Sequence, residues 1–457
     1  MRGAAGWAGL FLGVVMLLGA QPLWGEGEAS GAGRTPPLPI RTSTPPIPTV
    51  VTLPPIPGGP LVLSQEEAVR MALGRQPDLR LPEADLRAAR GRTIRARAGL
   101  LPSMELQSTH LLQDSLSAAG HSRESQASLD LEQLLFDFGR TPSEVASARA
   151  LEGAAEAELA VARAQVATRV RLAFHGLVAA RELAGVALSN LENQKRNLAL
   201  TRARWESGLG LPADVVRASS AVATATVNLN AARAREANQG VALARLLGQD
   251  PRLRLDPVCD ELPAGDQTDL EVLLQEALPR RPEMQAALNE IDAARHGLRA
   301  ALAFNAPALS ARAGVAARGQ DYPPESWFTR YGLTLRWPLV DSGQTSGLVE
   351  EAQASLDRAL ARHDVVCQDV ASEIVVSRIS LGVALDSLTA AQAARSDALE
   401  SVRIAEGRYA AGLGSFLEVL DAQSALLTAS NQLAAARLAA WEARAEFDRA
   451  IGRALGG

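Results

Sequence analysis

Four stretches of the chain alternate apolar and polar residues with a period of two. In 125–136, Ala127, Leu129, Leu131 and Leu135 alternate with Ser128, Asp130 and Glu132. In 308–318, Leu309, Ala311, Ala313, Val315 and Ala317 alternate with Ser310, Arg312 and Arg318. In 327–339, Trp327, Tyr331, Leu333, Leu335, Trp337 and Leu339 alternate with Arg330, Thr334 and Arg336. The stretch 102–113 alternates less cleanly, with Met104 and Leu106 on one face. Such a period puts one set of side chains on each face of a strand. About ten residues is the length of a tilted membrane strand. Charges on the second face fit a half-buried soluble sheet or the wet side of a membrane barrel.

Between the strand pairs run long Ala-, Leu- and Val-rich segments that read as helices. A short helix over about 64–75 is followed by one over 78–99. After the first strand pair come a very long helix, 140–206, a Gly-Leu-Gly break, and a last helix over about 214–247. The same order returns at 269–279, 283–303, 344–410 and 416–452. The segment 140–206 would span roughly 100 Å as a helix, longer than a compact domain accommodates.

This return is an internal duplication. Asp137 and Gly139 in Leu131–Gly139 stand 204 positions before Asp341 and Gly343 in Leu335–Gly343. Arg204-Trp205-Glu-Ser-Gly208-Leu209-Gly210 and Arg408-Tyr409-Ala-Ala-Gly412-Leu413-Gly414 keep the offset of 204, as do Leu229/Leu433, Arg233/Arg437 and Gly248/Gly452. Upstream, Glu66…Pro77-Asp78 matches Glu271…Pro282-Glu283 at an offset of 205. Near-constant spacing at fixed period marks two copies of one unit. The organisation expected is 1–25 signal peptide, 26–60 Pro-rich linker, 61–250 first repeat, 251–268 inter-repeat linker and 269–453 second repeat.

Composition narrows this picture. Only 17 residues are aromatic (6 Trp, 3 Tyr, 8 Phe), too few for several compact cores and suited to thin, close-packed helices. Ten of the 25 prolines fall between Pro36 and Pro60, which marks an extended linker. None occurs between Pro142 and Pro212 or after Pro338, which leaves room for long helices. Arg2 followed by the apolar run Trp7–Leu18 reads as a cleaved export signal. A net charge of −5 carries no basic excess for nucleic acid. The two cysteines, Cys259 and Cys367, lack metal-ligand spacing; they read as unpaired small residues, with a disulfide between them as the alternative in an exported chain.

Four strands cannot close a barrel, since membrane barrels start at eight, and an open edge in lipid is not tolerated. If the strands lie in a membrane, the sheet must be closed by oligomerisation, and three copies give twelve strands. The rings of Trp327, Tyr331 and Trp337 suit an interfacial aromatic girdle.

Duplication, two strands before each long helix, and the paired Arg-aromatic-x-x-Gly-Leu break together make the chain resemble the TolC-like outer-membrane efflux protein family, over about residues 61–453. The resemblance implies a mainly α protein with a membrane β-barrel: a homotrimer whose four strands per protomer form a shared twelve-strand barrel in outer-membrane lipid. Its long helices would form an α-helical barrel in the periplasm. It further implies an exit duct without cofactor, working with a periplasmic adaptor and an inner-membrane transporter of proton-driven RND or ABC type.

The resemblance also assigns roles to residues. The helical tips around Arg204–Asp214 and Arg408–Glu418 would face the periplasm. Gly208, Leu209, Gly412 and Leu413 would be adaptor-docking positions, the glycines also closing their helices in the left-handed conformation. Glu418 and Asp421, three apart on one helix face, match pore-constricting carboxylates. Glu418 also fits a capping box with Ser415, and Asp421 a solvated acid favoured by the helix dipole. The stretch Gly412–Ser415 lacks the basic residue that the family places there. Asp214 and Tyr409 match the first-tip acid and the second-tip aromatic, which leaves room for a hydrogen bond between them.

The five histidines (110, 121, 175, 296 and 363) are scattered, and there is no phosphate-binding loop or dinucleotide fingerprint. An enzyme is not expected. The alternative to a duct is a periplasmic coiled-coil adaptor or structural rod. That reading explains the helices but leaves the alternating strands without a role.

Overall fold

A computed structural model of the chain describes residues 61–114, 121–208, 210–258, 265 and 268–453. The signal and linker expected over 1–60, Leu209, and part of the inter-repeat linker including Cys259 lie outside the described residues. The first repeat comprises β1 (Leu61–Leu63), α1 (Gln65–Arg75), α2 (Arg80–Ala98), β2 (Ser103–Asp114), β3 (His121–Phe136), α3 (Arg140–Glu206) and α4 (Pro212–Leu246). The second comprises β4 (Leu255–Pro257), α5 (Leu270–Arg280), α6 (Pro282–Leu302), β5 (Ala308–Gly319), β6 (Ser326–Arg336), α7 (Gln344–Ala410) and α8 (Phe416–Ala450).

The two long helices have the expected bounds. Each begins at the same device. Phe138 and Gly139 (φ 54° and 85°), and Ser342 and Gly343 (φ 52° and 92°), take consecutive left-handed conformations that turn a strand into a helix. An aspartate then fills the orphan donors of the first turn. Asp137 accepts from the Thr141 amide at 2.8 Å, and Asp341 from the Thr345 amide at 2.9 Å and the Gly343 amide at 3.2 Å. The Thr345 hydroxyl and amide hold the Asp341 carboxyl below its usual range. The last strand is shorter than its alternation suggests. It ends at Arg336 rather than 339, because Pro338 has no N–H for a ladder. Trp337 therefore lies just beyond the sheet, exposed.

β1 and β4 pair in parallel, Leu61 opposite Leu255, and join the starts of the two repeats. Two cores, the first of which packs against this junction, use equivalent positions. One contains Val166, Val170, Leu177, Leu243 and Leu247. The other contains Val370, Ile374, Leu381, Phe447 and Ile451. Each of these pairs is 204 residues apart. Burial of each such side chain stabilises by about 1.5–3 kcal/mol, so the duplication is written most firmly in the cores.

β2, β3, β5 and β6 form one antiparallel sheet in that order. Leu106 lies opposite Leu129, Leu129 opposite Val315, and Ala313 opposite Tyr331. The period-two pattern of the sequence thus becomes one continuous apolar face.

Candidate functional site: the two-faced sheet and the hairpin tips

The apolar face of the sheet is uncovered in the single chain. Met104, Leu106, Leu112, Trp327, Tyr331, Leu333 and Leu335 are exposed large hydrophobic residues. The other face carries the charges, and the register pairs them. Glu132 stands opposite Arg312, and their side chains meet at 3.1 Å. Arg318 lies 3.7 Å from Glu124. Arg330 reaches Asp130 at 2.8 and 3.0 Å across the intervening strand. Gly314 makes that crossing possible: it lies between the two in register, and a Cβ there would collide with Asp130 Oδ1. Five of the mixed charges on this face, Asp130, Glu132, Arg312, Arg318 and Arg330, thus stand in cross-strand ion pairs. A sheet with one apolar and one charged face, and with both edge strands unpaired among the described residues, fits the wall of a closed barrel in lipid.

At the opposite end of the long helices lie the two tips. Gly208 and Gly412 have φ of 78° and 74° and end α3 and α7. The Leu413 amide donates to Arg408 O at 2.9 Å, and the Gly412 amide to Tyr409 O at 3.1 Å, which closes the helix on its last carbonyls. Gly210 and Gly414 sit against the backbone of the preceding helix, where a Cβ would meet Trp205 N at 2.9 Å or Arg408 Cβ at 3.2 Å. Leu413 projects, exposed, from the second tip; Leu211 and Leu417 flank the tips, also exposed.

Glu418 forms the capping box. Its amide donates to Ser415 Oγ at 3.3 Å, and its carboxylate accepts from the Ser415 amide at 3.4 Å. Arg408 Nη2 lies 3.9 Å from the same carboxylate. Asp421 is exposed one turn further along α8. The hydrogen bond between Asp214 and Tyr409 is not made among the described residues. Asp214 instead lies 3.6 Å from Arg217 on its own helix. Tyr409 is turned inward, packing with Phe416, Val419 and Ala218.

The contacts that do join the two hairpins were not picked out from sequence. Arg204, in the last turn of α3, stacks over the Tyr409 ring at 4.3 Å. Its Nη2 donates to Tyr409 O at 3.1 Å and Ala410 O at 3.3 Å. A cation thus caps the carbonyl end of α7. Above it, Gln423 Oε1 accepts from Gln194 at 3.1 Å and Asn197 at 2.6 Å, while its amide donates to Glu406 at 2.9 Å. Higher still, Arg437 meets Glu182 at 2.5 Å. The tip lacks a basic residue in Gly412–Ser415, yet it is clasped by an arginine from the other hairpin. The repeat itself held the clue, since Arg204 and Arg408 were matched there as markers.

His175 lies on α3 in the same interface. It stacks on Trp441 at 4.2 Å and shares a hydrogen bond with Gln65 at 2.5 Å. Burial, then the charge of Arg171, push its pKa down to about 4. It is a neutral packing residue. Among the described residues, no cluster of His, Cys, Asp and Glu could hold a metal ion.

The family model described as outer membrane efflux protein matches residues 68–249 and again 273–453. Protein CyaE of Bordetella pertussis is 27% identical over 379 residues, covering 79% of this chain and 78% of the relative. Outer membrane protein TolC of Escherichia coli is 24% identical over 378 residues, covering 79% and 76%. The crystal structure of the outer membrane protein VceC of Vibrio cholerae superposes with a TM-score of 0.74 at 21% identity, over 85% of this chain and 96% of that one.

Proposed function

The chain belongs to the outer membrane efflux protein family, and from that membership we propose how its parts work as an exit duct in the outer membrane. Three copies join their sheets edge to edge into a twelve-strand barrel. The apolar face, with Trp327 and Tyr331 in the strand and Trp337 just beyond it, meets outer-membrane lipid. The ion-paired face lines the lumen. The long helices continue the tube into the periplasm. The observation that carries this reading is the two-faced sheet with open edges, which is stable in lipid only when closed.

The tips are the periplasmic entrance. Gly412 and Leu413, with their counterparts Gly208 and Leu209, form the surface that a periplasmic adaptor hairpin engages, and an inner-membrane transporter delivers the substrate. The duct passes it without chemistry of its own. Glu418 and Asp421 ring the narrow end. Glu418 also holds its helix start through Ser415, so Asp421 is the less constrained carboxylate. Rings of acid favour cations.

Membrane fractionation followed by planar-bilayer conductance tests the duct. Heat-sensitive trimers in the outer membrane that conduct ions are expected; soluble monomers would refute it. Asp421→Ala should then lose part of the cation preference of the channel, and an unchanged permeability ratio would count against the acidic ring. Cross-linking of Leu413→Cys to a co-produced adaptor is expected at the tip and not along the helices.

A further inference from the structure

The duplication supplies a template for the contact between copies. Within the chain, the first hairpin presents one side to the second. The joint includes Arg204 over Tyr409, Glu182 with Arg437, and His175 stacked on Trp441 with Ala179 buried one turn further along α3. Adding or subtracting the repeat offset of 204 converts these into Arg408 with Trp205, Asp386 with Arg233, and Ile379 and Val383 on α7. The cation–ring and acid–arginine pairs keep their chemistry; the Gln423 contacts to Gln194 and Asn197 do not, since Ser219, Ala398 and Ser401 stand there, and the His175–Trp441 stack becomes Ile379 with Ala237.

Burial, however, is not kept. Tyr409 is 9% exposed and Trp205 47%. His175 and Ala179 are 2% and 6% exposed, whereas Ile379 and Val383 are 62% and 61%. Asp386 and Arg233 are both exposed and have no ion-pair partner among the described residues. Arg408 turns back on its own tip, at 3.4 Å from Leu413 O. The second set is the first joint taken apart, with its halves on opposite sides of the same chain.

We infer that a second copy of this chain supplies the missing half. The α7 face bearing Ile379, Val383 and Asp386 seats against α4 of the next copy, where Asp386 meets Arg233. Arg408 then swings onto the neighbour's Trp205 ring and the adjoining carbonyls, as Arg204 does on Tyr409. The joint is head to tail, so copies can only close as a ring or extend as a filament. This inference rests on the reading of the chain as a ring-forming duct and deepens it: the periplasmic end is held by alternating clasps of one design, Arg204 within a chain and Arg408 between chains.

The test is a cysteine pair, Asp386→Cys with Arg233→Cys, in a Cys259→Ser, Cys367→Ser background. Oxidised in native membranes and run on a denaturing gel, it should give covalent dimers and trimers that reduction abolishes. Glu182→Cys with Arg437→Cys, the same joint within one chain, should give monomers only. Monomers from the first pair, while heat-sensitive trimers and conductance persist, would overturn the inference and leave the duct intact. Absence of both trimers and conductance in the unaltered chain would overturn the duct reading and the inference with it. Charge exchange gives a second route. Asp386→Arg should lower the trimer melting temperature, and adding Arg233→Asp should restore it. Arg408→Ala and Trp205→Ala should each lower that temperature, with no further loss in the double variant; additive losses would refute the clasp.

Discussion

Where α1 and α5 end, the two repeats turn the same corner with their charges exchanged. Repeat 1 has Gln76, Asp78 and Arg169; the matching places in repeat 2 hold Arg281, Glu283 and Glu373. In the first, Arg169 reaches Asp78 at 3.4 Å with both side chains about half exposed. In the second, Arg281 is buried. It donates to Glu373 at 2.7 Å, to Glu283 at 3.0 Å and to Arg449 O at 2.8 Å, while Arg449 also bonds Glu373. Backbone and cores are shared, yet one corner is wet and the other an ionic knot around a buried arginine. A duplicated unit therefore fixes its apolar positions more tightly than the sign of its charges.

This difference can be broken directly. Glu373→Ala leaves a buried guanidinium with one carboxylate fewer, a loss of about 3 kcal/mol. Thermal unfolding in detergent should show it as a clear drop in melting temperature. Arg169→Ala, the matching change in the wet corner, should cost under about 1 kcal/mol.

A second contrast lies between His175 and Ile379, equivalent places on the two long helices. The folded pKa of His175 is about 4, lowered from 6.5. Between these values the unfolded chain binds a proton that the folded chain does not. Stability is therefore complete above pH 6.5 and falls as the pH drops toward 4, by up to ~3 kcal/mol. His175→Ile makes the repeats alike at this place and should flatten that part of the pH profile; a profile unchanged between pH 7 and 4.5 would remove His175 from the account.

A smaller effect separates the tips. Ser415 caps α8, while its counterpart Leu211 offers α4 no side-chain cap. Ser415→Ala should cost about 1 kcal/mol, and Leu211→Ser should gain up to about that much. Both can be read from melting temperatures of the trimer.

Much of the fold was legible because long helices and strands impose long patterns. The extents of α3 and α7 follow from Ala-rich runs with no proline beyond the first turn, and the sheet from alternation at Leu129, Val315 and Leu333. The last strand was read three residues too long, since alternation continues through Trp337 and Leu339 while Pro338 removes the donor the ladder needs. The tip was harder. Gly208 and Gly412 announce themselves, but Arg204 reaching Tyr409, or Arg330 reaching Asp130 over Gly314, depends on how elements are set side by side. Hydrophobic periodicity says which face is buried and not which residue lies opposite. For the same reason the Asp214–Tyr409 bond failed: Tyr409 turns inward to the apolar contacts with Phe416, Val419 and Ala218.

The head-to-tail joint has a genetic consequence. A copy altered at Asp386 still presents a sound Arg233 to its other neighbour, so it enters mixed rings beside unaltered copies instead of being left out. Each altered copy contributes one faulty seam. When both forms are made in one cell, the phenotype should therefore scale with the dose of the altered allele. An allele damaged on both faces should drop out of assembly and behave as recessive.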